Sequence, residues 1–158
     1  MNIRLTDEIL YVPTKKISET DSQKVFHTTL KIKEWLKTKA AYAVAANQLG
    51  FHDSFFVAHR KYKRWSLPTD IYFNPSFIPA NDKQEKSGEK CLSYPGKEFQ
   101  IMRFSSIVLS YFDPWESKSK QILLSGLPAI IAQHEITHLL GIDERSLDIQ
   151  NKKIISED

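Results

Sequence analysis

The stretch QHEITHLLG, residues 133–141, limits the possible folds more than any other part of the chain. On a helix His134 and His138, four apart, share one face, and Leu127 and Ile131 carry that face toward the N-terminus as an apolar stripe. The imidazoles then point inward, where a polar group is costly unless it finds a partner. A single inward histidine is usually a satisfied core residue. A pair flanking Glu135 is better explained as two ligands to one ion, with a carboxylate beside them for proton transfer. The spacing predicts a helix starting near Ser125 or Gly126, with Pro128 in its first turn and a stop at Gly141.

Two histidines are one ligand short of a catalytic metal site, which usually has three protein ligands and an open position. Two routes to the third are open. Downstream, HEITHLLGIDE begins like the zinc-peptidase signature with Glu144 at the third-ligand position, and Glu157 is a further carboxylate. Only twenty residues follow His138, however, which is little for the second half of a peptidase. Upstream, the single cysteine, Cys91, lies in the turn-rich GEKCLSYPG and would make a Cys-His-His set suited to Fe²⁺, Zn²⁺, Ni²⁺ or Co²⁺.

Composition narrows the setting. One cysteine precludes an intramolecular disulfide and fits a reducing cytoplasm. No apolar run reaches membrane-spanning length, and the acidic, core-less N-terminus encodes neither export nor import. A net charge of +3 with a pI of about 8.9 is too mild to indicate sequence-specific nucleic acid binding. Lys24, Lys31, Lys33, Lys37 and Lys39 read as a solvated helix face, and Lys61, Lys63 and Arg64, around Tyr62 and Trp65, as a hairpin tip. The length, 158 residues, predicts one domain over 1–158.

The expected order is a helix over 20–39, several strands, the metal helix and a polar tail. Thr20 and Gln23 are spaced as a capping box, and Val25, Thr29, Ile32 and Leu36 form the buried stripe. Segments 53–59, 70–75, 99–104, 105–113 and 120–126 read as strands, while 81–88 and 113–120 read as loops or hairpin turns. The fold class is α+β, with mostly antiparallel strands around the C-terminal metal-binding helix.

A third stretch, AAYAVAANQLG (residues 40–50), packs small residues around Gln48 and would by itself pass for a close-packed loop or helix end. Together the three stretches resemble the peptide deformylases, whose motifs G-x-G-x-A-A-x-Q, E-G-C-L-S and Q-H-E-x-D-H occur in this order. Here they read AYAVAANQ, EKCLS and QHEITH, and the connecting segments are similar over nearly the whole chain. Four positions depart from the pattern: Ala41 and Ala43 replace glycines, Lys90 a glycine and Thr137 an aspartate. If the glycine positions need positive φ, their replacements carry strain.

The resemblance implies a metal-dependent hydrolase that removes the N-formyl group from the initiator methionine of new polypeptides. Cys91, His134 and His138 would hold one divalent metal, with Fe²⁺ as the native ion. Glu135 would move protons; the Gln48 side-chain amide and Leu92 backbone N–H would stabilise the oxyanion. Tyr42, Leu127, Ile130 and Ile131 would line the methionine pocket, while the backbones at Ala43 and Lys90 would pair with the peptide as an added strand. Partners would be formyl-methionyl nascent chains and, transiently, the ribosome. The short tail suggests a trimmed, phage-type member acting in a host cytoplasm. The alternatives are an HExxH zinc peptidase and a deformylase fold kept only for binding.

Overall fold

The computed structural model describes residues 1–3, 8–59 and 67–150. Lys61, Tyr62, Lys63, Arg64, Trp65 and Glu157 lie outside these residues. Helix α1 spans Ser22–Leu36 and buries Val25, Thr29, Ile32 and Leu36, the stripe expected from the sequence. Thr29 is tolerated there because its hydroxyl donates to the Phe26 carbonyl at 2.7 Å. The Thr20–Gln23 capping box does not form. The helix starts two residues later than expected, with Asp21 at the N-cap, and that carboxylate accepts from the Ser18 hydroxyl at 3.0 Å instead of capping.

Seven strands follow among the described residues: β1 (Ala43–Ala45), β2 (Phe55–Ala58), β3 (Ile71–Pro79), β4 (Gln84–Glu89), β5 (Phe99–Phe104), β6 (Ser106–Asp113) and β7 (Lys118–Ser125). Five make an antiparallel sheet in the order β1-β2-β3-β6-β7, and β4 and β5 form a separate hairpin. The α+β expectation holds. β6 alternates cleanly, turning Ile107, Leu109, Tyr111 and Asp113 inward; Lys120 reaches the buried Asp113 at 2.8 Å. A register shift between Phe73 and Ser76 places Asn74 at φ 49°. From there its side-chain amide accepts from the Ile17 N–H at 2.8 Å and donates to the Ile17 carbonyl, tying the N-terminal segment to the sheet.

Two loop expectations need correction. Residues 84–88, read as part of a loop, are most of β4, because full backbone pairing with β5 compensates for a polar sequence. In 113–120 only the middle is turn; Lys118 already pairs with Asp113.

Helix α2 spans Leu127–Leu139, with Pro128 in its first turn, and every residue from Ile131 to Leu139 is buried. It is therefore a core helix, with the sheet, the hairpin and the N-terminal segment packed around it. Gln133 joins it to β5: its Oε1 accepts from the Phe104 N–H and its Nε2 donates to the Phe104 carbonyl, both at 2.9 Å. At the C-terminal end the Thr14 N–H and hydroxyl donate to the Leu139 carbonyl at 2.8 and 3.0 Å. No helix among the described residues is long and apolar enough to cross a membrane.

The turn out of α2 has no room for a side chain. Gly141 has φ 72°, and a Cβ there would lie 2.7–2.9 Å from the backbone of Tyr11, Val12 and Pro13. Gly141→Ala should therefore destabilise the fold by about 1–3 kcal/mol, combining left-handed strain with a backbone clash. Urea unfolding would show the loss as a lower midpoint, and an unchanged midpoint would mean that the N-terminal segment moves aside freely.

Candidate active site and metal centre

The chemistry gathers where α2, the loop after β4 and the turn after β1 meet. β1 leads into a single 3-10 turn, Ala46–Leu49, closed by Gly50 at φ 87°. Within that turn Gln48 is held by its own backbone, its Oε1 accepting from the Ala45 N–H at 2.9 Å. Its Nε2 donates to Cys91 Sγ at 3.2 Å and Ser93 Oγ at 3.1 Å. Asn47 donates its side-chain amide to the His138 carbonyl, anchoring the turn to the metal helix.

Cys91 Sγ lies 3.3 Å from His138 Nε2 and accepts from the Ser93 N–H. The helix spacing does place both imidazoles together, with ring centroids 4.9 Å apart. Glu144, on the short helix α3 (Glu144–Leu147), also arrives here: its Oε1 is 3.0 Å from Nε2 of both His134 and His138. The ligand atoms of Cys91, His134, His138 and Glu144 all lie within 4.8 Å of one another, and all four residues are buried. The sequence posed Cys91 and Glu144 as rivals; the fold brings both to one point. One sulfur, two imidazole nitrogens and a carboxylate oxygen, converging in a buried site, suit a divalent transition metal.

Behind the histidines runs a polar chain that the sequence did not reveal. Glu89 accepts from His134 Nδ1 at 2.7 Å, leaving Nε2 directed at the cluster. Arg103 grips Glu89 with two hydrogen bonds, at 2.9 and 2.8 Å, and donates a third to Thr137 Oγ1 at 3.0 Å. Arg103 gave no signal beyond inward alternation on β5. Thr137 keeps its place in this chain through its hydroxyl, which also donates to the Gln133 carbonyl.

Electrostatics follow from burial. Burial raises the Glu135 carboxyl above its ordinary range, and the two histidines draw it only partly back. Its Oε2 has no hydrogen-bond partner, while Oε1 is 3.9 Å from His134 Nε2. Burial would also raise Glu89, but Arg103 and His134 outweigh it and hold the carboxyl at about 2. For Cys91, burial is countered by both histidines, leaving the thiol below its usual value.

One cavity of about 450 Å³ connects these groups. Tyr42, Ala43, Gln48, Lys90, Cys91, Leu92, Leu127, Ile130, Ile131, His134 and Glu135 line it. Thus every site residue that the resemblance implied borders this space except His138, which is buried; of the two downstream carboxylates, Glu144 does not line it and Glu157 lies outside the described residues. The motif departures carry no backbone strain: the non-glycine residues with positive φ among those described are Asn74 and Ser117, not Ala41, Ala43 or Lys90.

The Glu89–Arg103 pair yields a pH-dependent prediction. Because Glu89 falls from its ordinary 4.5 to about 2 on folding, its stabilisation is full above pH 4.5 and is lost as pH drops toward 2. Glu89→Gln should cost about 3–5 kcal/mol at pH 7, as expected for breaking a buried pair. The gap from wild type should narrow steadily below pH 4.5 in denaturant titrations. A gap independent of pH would assign the effect to packing.

Comparison with known proteins points the same way. The polypeptide deformylase family model matches residues 3–145. A peptide deformylase of Prochlorococcus marinus (strain NATL2A) is 30% identical over 139 residues, covering 88% of this chain and 68% of that protein. A solved peptide deformylase from Synechococcus elongatus, in complex with actinonin, superposes with a TM-score of 0.81 at 25% identity, covering 94% of this chain and 78% of that one. The PDF of Vibrio parahaemolyticus bacteriophage VP16T, also in complex with actinonin, gives a TM-score of 0.78 at 26% identity over 90% of this chain and 98% of that one.

Proposed function

This chain belongs to the polypeptide deformylase family, and from that premise we propose that its cavity removes the formyl group from N-terminal formyl-methionine of nascent polypeptides, releasing formate. The observation that carries the reading is the convergence on one cavity of a buried sulfur–nitrogen donor cluster, a buried carboxylate and an apolar wall. In this reading Cys91, His134 and His138 hold one divalent metal, with Fe²⁺ as the native ion and Zn²⁺, Ni²⁺ or Co²⁺ accepted by the same donors. When bound, such an ion polarises a carbonyl and makes water nucleophilic at neutral pH.

The chain's own groups do the rest. Glu135 takes a proton from the attacking water and returns one to the leaving amine; its raised affinity for a proton suits both steps. The Gln48 amide and Leu92 N–H donate to the oxyanion as charge develops. Gln48 is pre-positioned by Ala45, and the bond from its Nε2 to Ser93 or Cys91 is the one exchanged for substrate. Leu127, Ile130 and Ile131 supply the apolar wall for methionine, with Tyr42 half-exposed at the rim. Among the described residues, β1 is an edge of the five-stranded sheet and β4 pairs only with β5. An extended peptide laid along Ala43 and Lys90 therefore meets two strand edges. Such a substrate places the work in the cytoplasm, with transient contact at the ribosome.

Substitutions at Cys91 and Glu135 separate metal binding from proton transfer. Cys91→Ala should lose most of an otherwise equimolar metal by elemental analysis. Glu135→Ala should retain the metal and lose roughly 10²–10⁴-fold in turnover. Activity of the metal-matched Glu135→Ala protein within about threefold of wild type would remove Glu135 from the mechanism.

Substrate choice is a further check. Formyl-Met and formyl-norleucine peptides should release formate, acetyl-Met peptides far more slowly, and formyl-Asp peptides not at all, because an apolar wall penalises a buried charge. Mass spectrometry of one methionine-containing formyl peptide should show loss of formyl alone. Internal fragments would indicate a peptidase, and an unchanged peptide with metal confirmed would indicate a binding protein.

A further inference from the structure

The three-ligand site assigned above leaves one member of the cluster without a task. Glu144 is fully buried, and neither of its carboxylate oxygens has a hydrogen-bond partner. Yet Oε1 stands 3.0 Å from Nε2 of both His134 and His138. The carboxylate oxygen and the two imidazole nitrogens thus surround a common point, where the carboxylate pairs with the imidazoles when no ion is bound and can share an ion with them when one is. Ligand bonds of ~2.0–2.1 Å on a tetrahedral ion put neighbouring donor atoms roughly 3.3 Å apart. The two carboxylate–imidazole spacings of 3.0 Å are close to that value; Cys91 Sγ, 3.3 Å from His138 Nε2, is somewhat nearer than a thiolate bond of ~2.3 Å would set it, and the four ligand atoms all lie within 4.8 Å.

Glu144 is also held there by its surroundings. Asp143 caps α3, accepting from the Arg145 N–H at 2.9 Å, and its Oδ1 accepts from the Tyr94 hydroxyl at 3.1 Å. At the other end Asp148 accepts from the Gln100 N–H on β5. α3 is therefore fastened on both sides of the carboxylate, whose burial is costly unless the two imidazoles or a shared cation compensate it.

We propose that Glu144 is a fourth protein ligand, so that the resting metal centre is Cys-His-His-Glu, closed on all four sides. Catalytic sites of this kind usually leave one position open for water, and structural sites do not. Resting on the deformylase reading, the inference makes this a self-closed deformylase centre. Glu144 holds the position that the reacting water needs, and turnover requires the carboxylate to give way or the shell to expand to five ligands. Closure also keeps the ion: four protein ligands in a buried site slow its escape.

The test uses the full chain loaded with Co²⁺, whose visible absorption reports ligand number and type. Glu144→Gln keeps the shape of the side chain and weakens its ligand oxygen; Glu144→Ala removes it. Relative to wild type, both should shift the Co²⁺ spectrum, admit azide as an added ligand at lower concentration, and lose Co²⁺ to a chelator roughly tenfold faster or more. If only the glutamine variant folds, its spectrum and release rate suffice. Identical spectra, azide titrations and release rates in wild type and variant would overturn the ligand role, leaving Glu144 as a bystander to the histidines.

Formate release from a formyl-Met peptide, followed on the same samples, keeps the two readings apart. Formate with unmoved spectra overturns the fourth ligand and leaves the deformylase reading standing. Moved spectra with no formate from any sample support the fourth ligand and overturn the substrate.

Discussion

Much of this structure answers a single demand, the burial of a polar helix surface. Gln133, His134, Glu135, Thr137 and His138 lie within six residues of α2 and are all shielded from water. Each buried polar group left unpaired costs about 1–3 kcal/mol, so the rest of the chain has to bring partners to it. The end of β5 serves Gln133, Glu89 on β4 serves His134, Arg103 on β5 serves Thr137, and the Cys91 loop serves His138. This explains why a polar hairpin docks on an otherwise apolar helix: the β4–β5 pair is held by what its inward side chains give α2.

The same demand gives the threonine at 137 a physical meaning. In the motif that this region resembles, the position is an aspartate. Here Arg103 faces one carboxylate, Glu89, and completes its contacts on a hydroxyl. One buried negative charge is thus missing behind the helix, while Glu144 supplies one in front of it, beside both imidazoles. In this chain, then, the charge behind the helix is carried by Glu89 alone, and a second buried carboxylate stands on the side of the imidazole Nε2 atoms.

How much was legible in the sequence depended on whether a residue's role was local. The α1 stripe, β5, β6 and α2 carry strong periodicity, and their existence and type followed directly from it. β4 could not be read because QEKSGE is polar on both faces and gains its order from pairing with β5. β1 was hidden for a related reason: three small residues have little strand preference, and the sheet edge defines them. The capping box failed because Asp21 competed for the cap position and was itself engaged by Ser18. In the site, motif residues could be found because the chemistry requires particular types at particular spacings. Glu144 could be found from its spacing after HEITH, whereas Arg103 depends on tertiary closure alone and no spacing encodes it.

The clasp between the N-terminal segment and the end of α2 also sets an order of events during synthesis. Thr14 waits for Leu139, and Gly141 closes against Tyr11–Pro13, a span of more than 120 residues. Gln48 and Cys91 leave the ribosome before both histidines and Glu144, the first of which lies 43 residues after Cys91. Until residue 144 is free, the growing chain has a lone thiol, a sheet without its core helix and no place for an ion. The donor cluster is therefore completed only by contacts between segments far apart in sequence, and no fragment lacking α2 and α3 can close it.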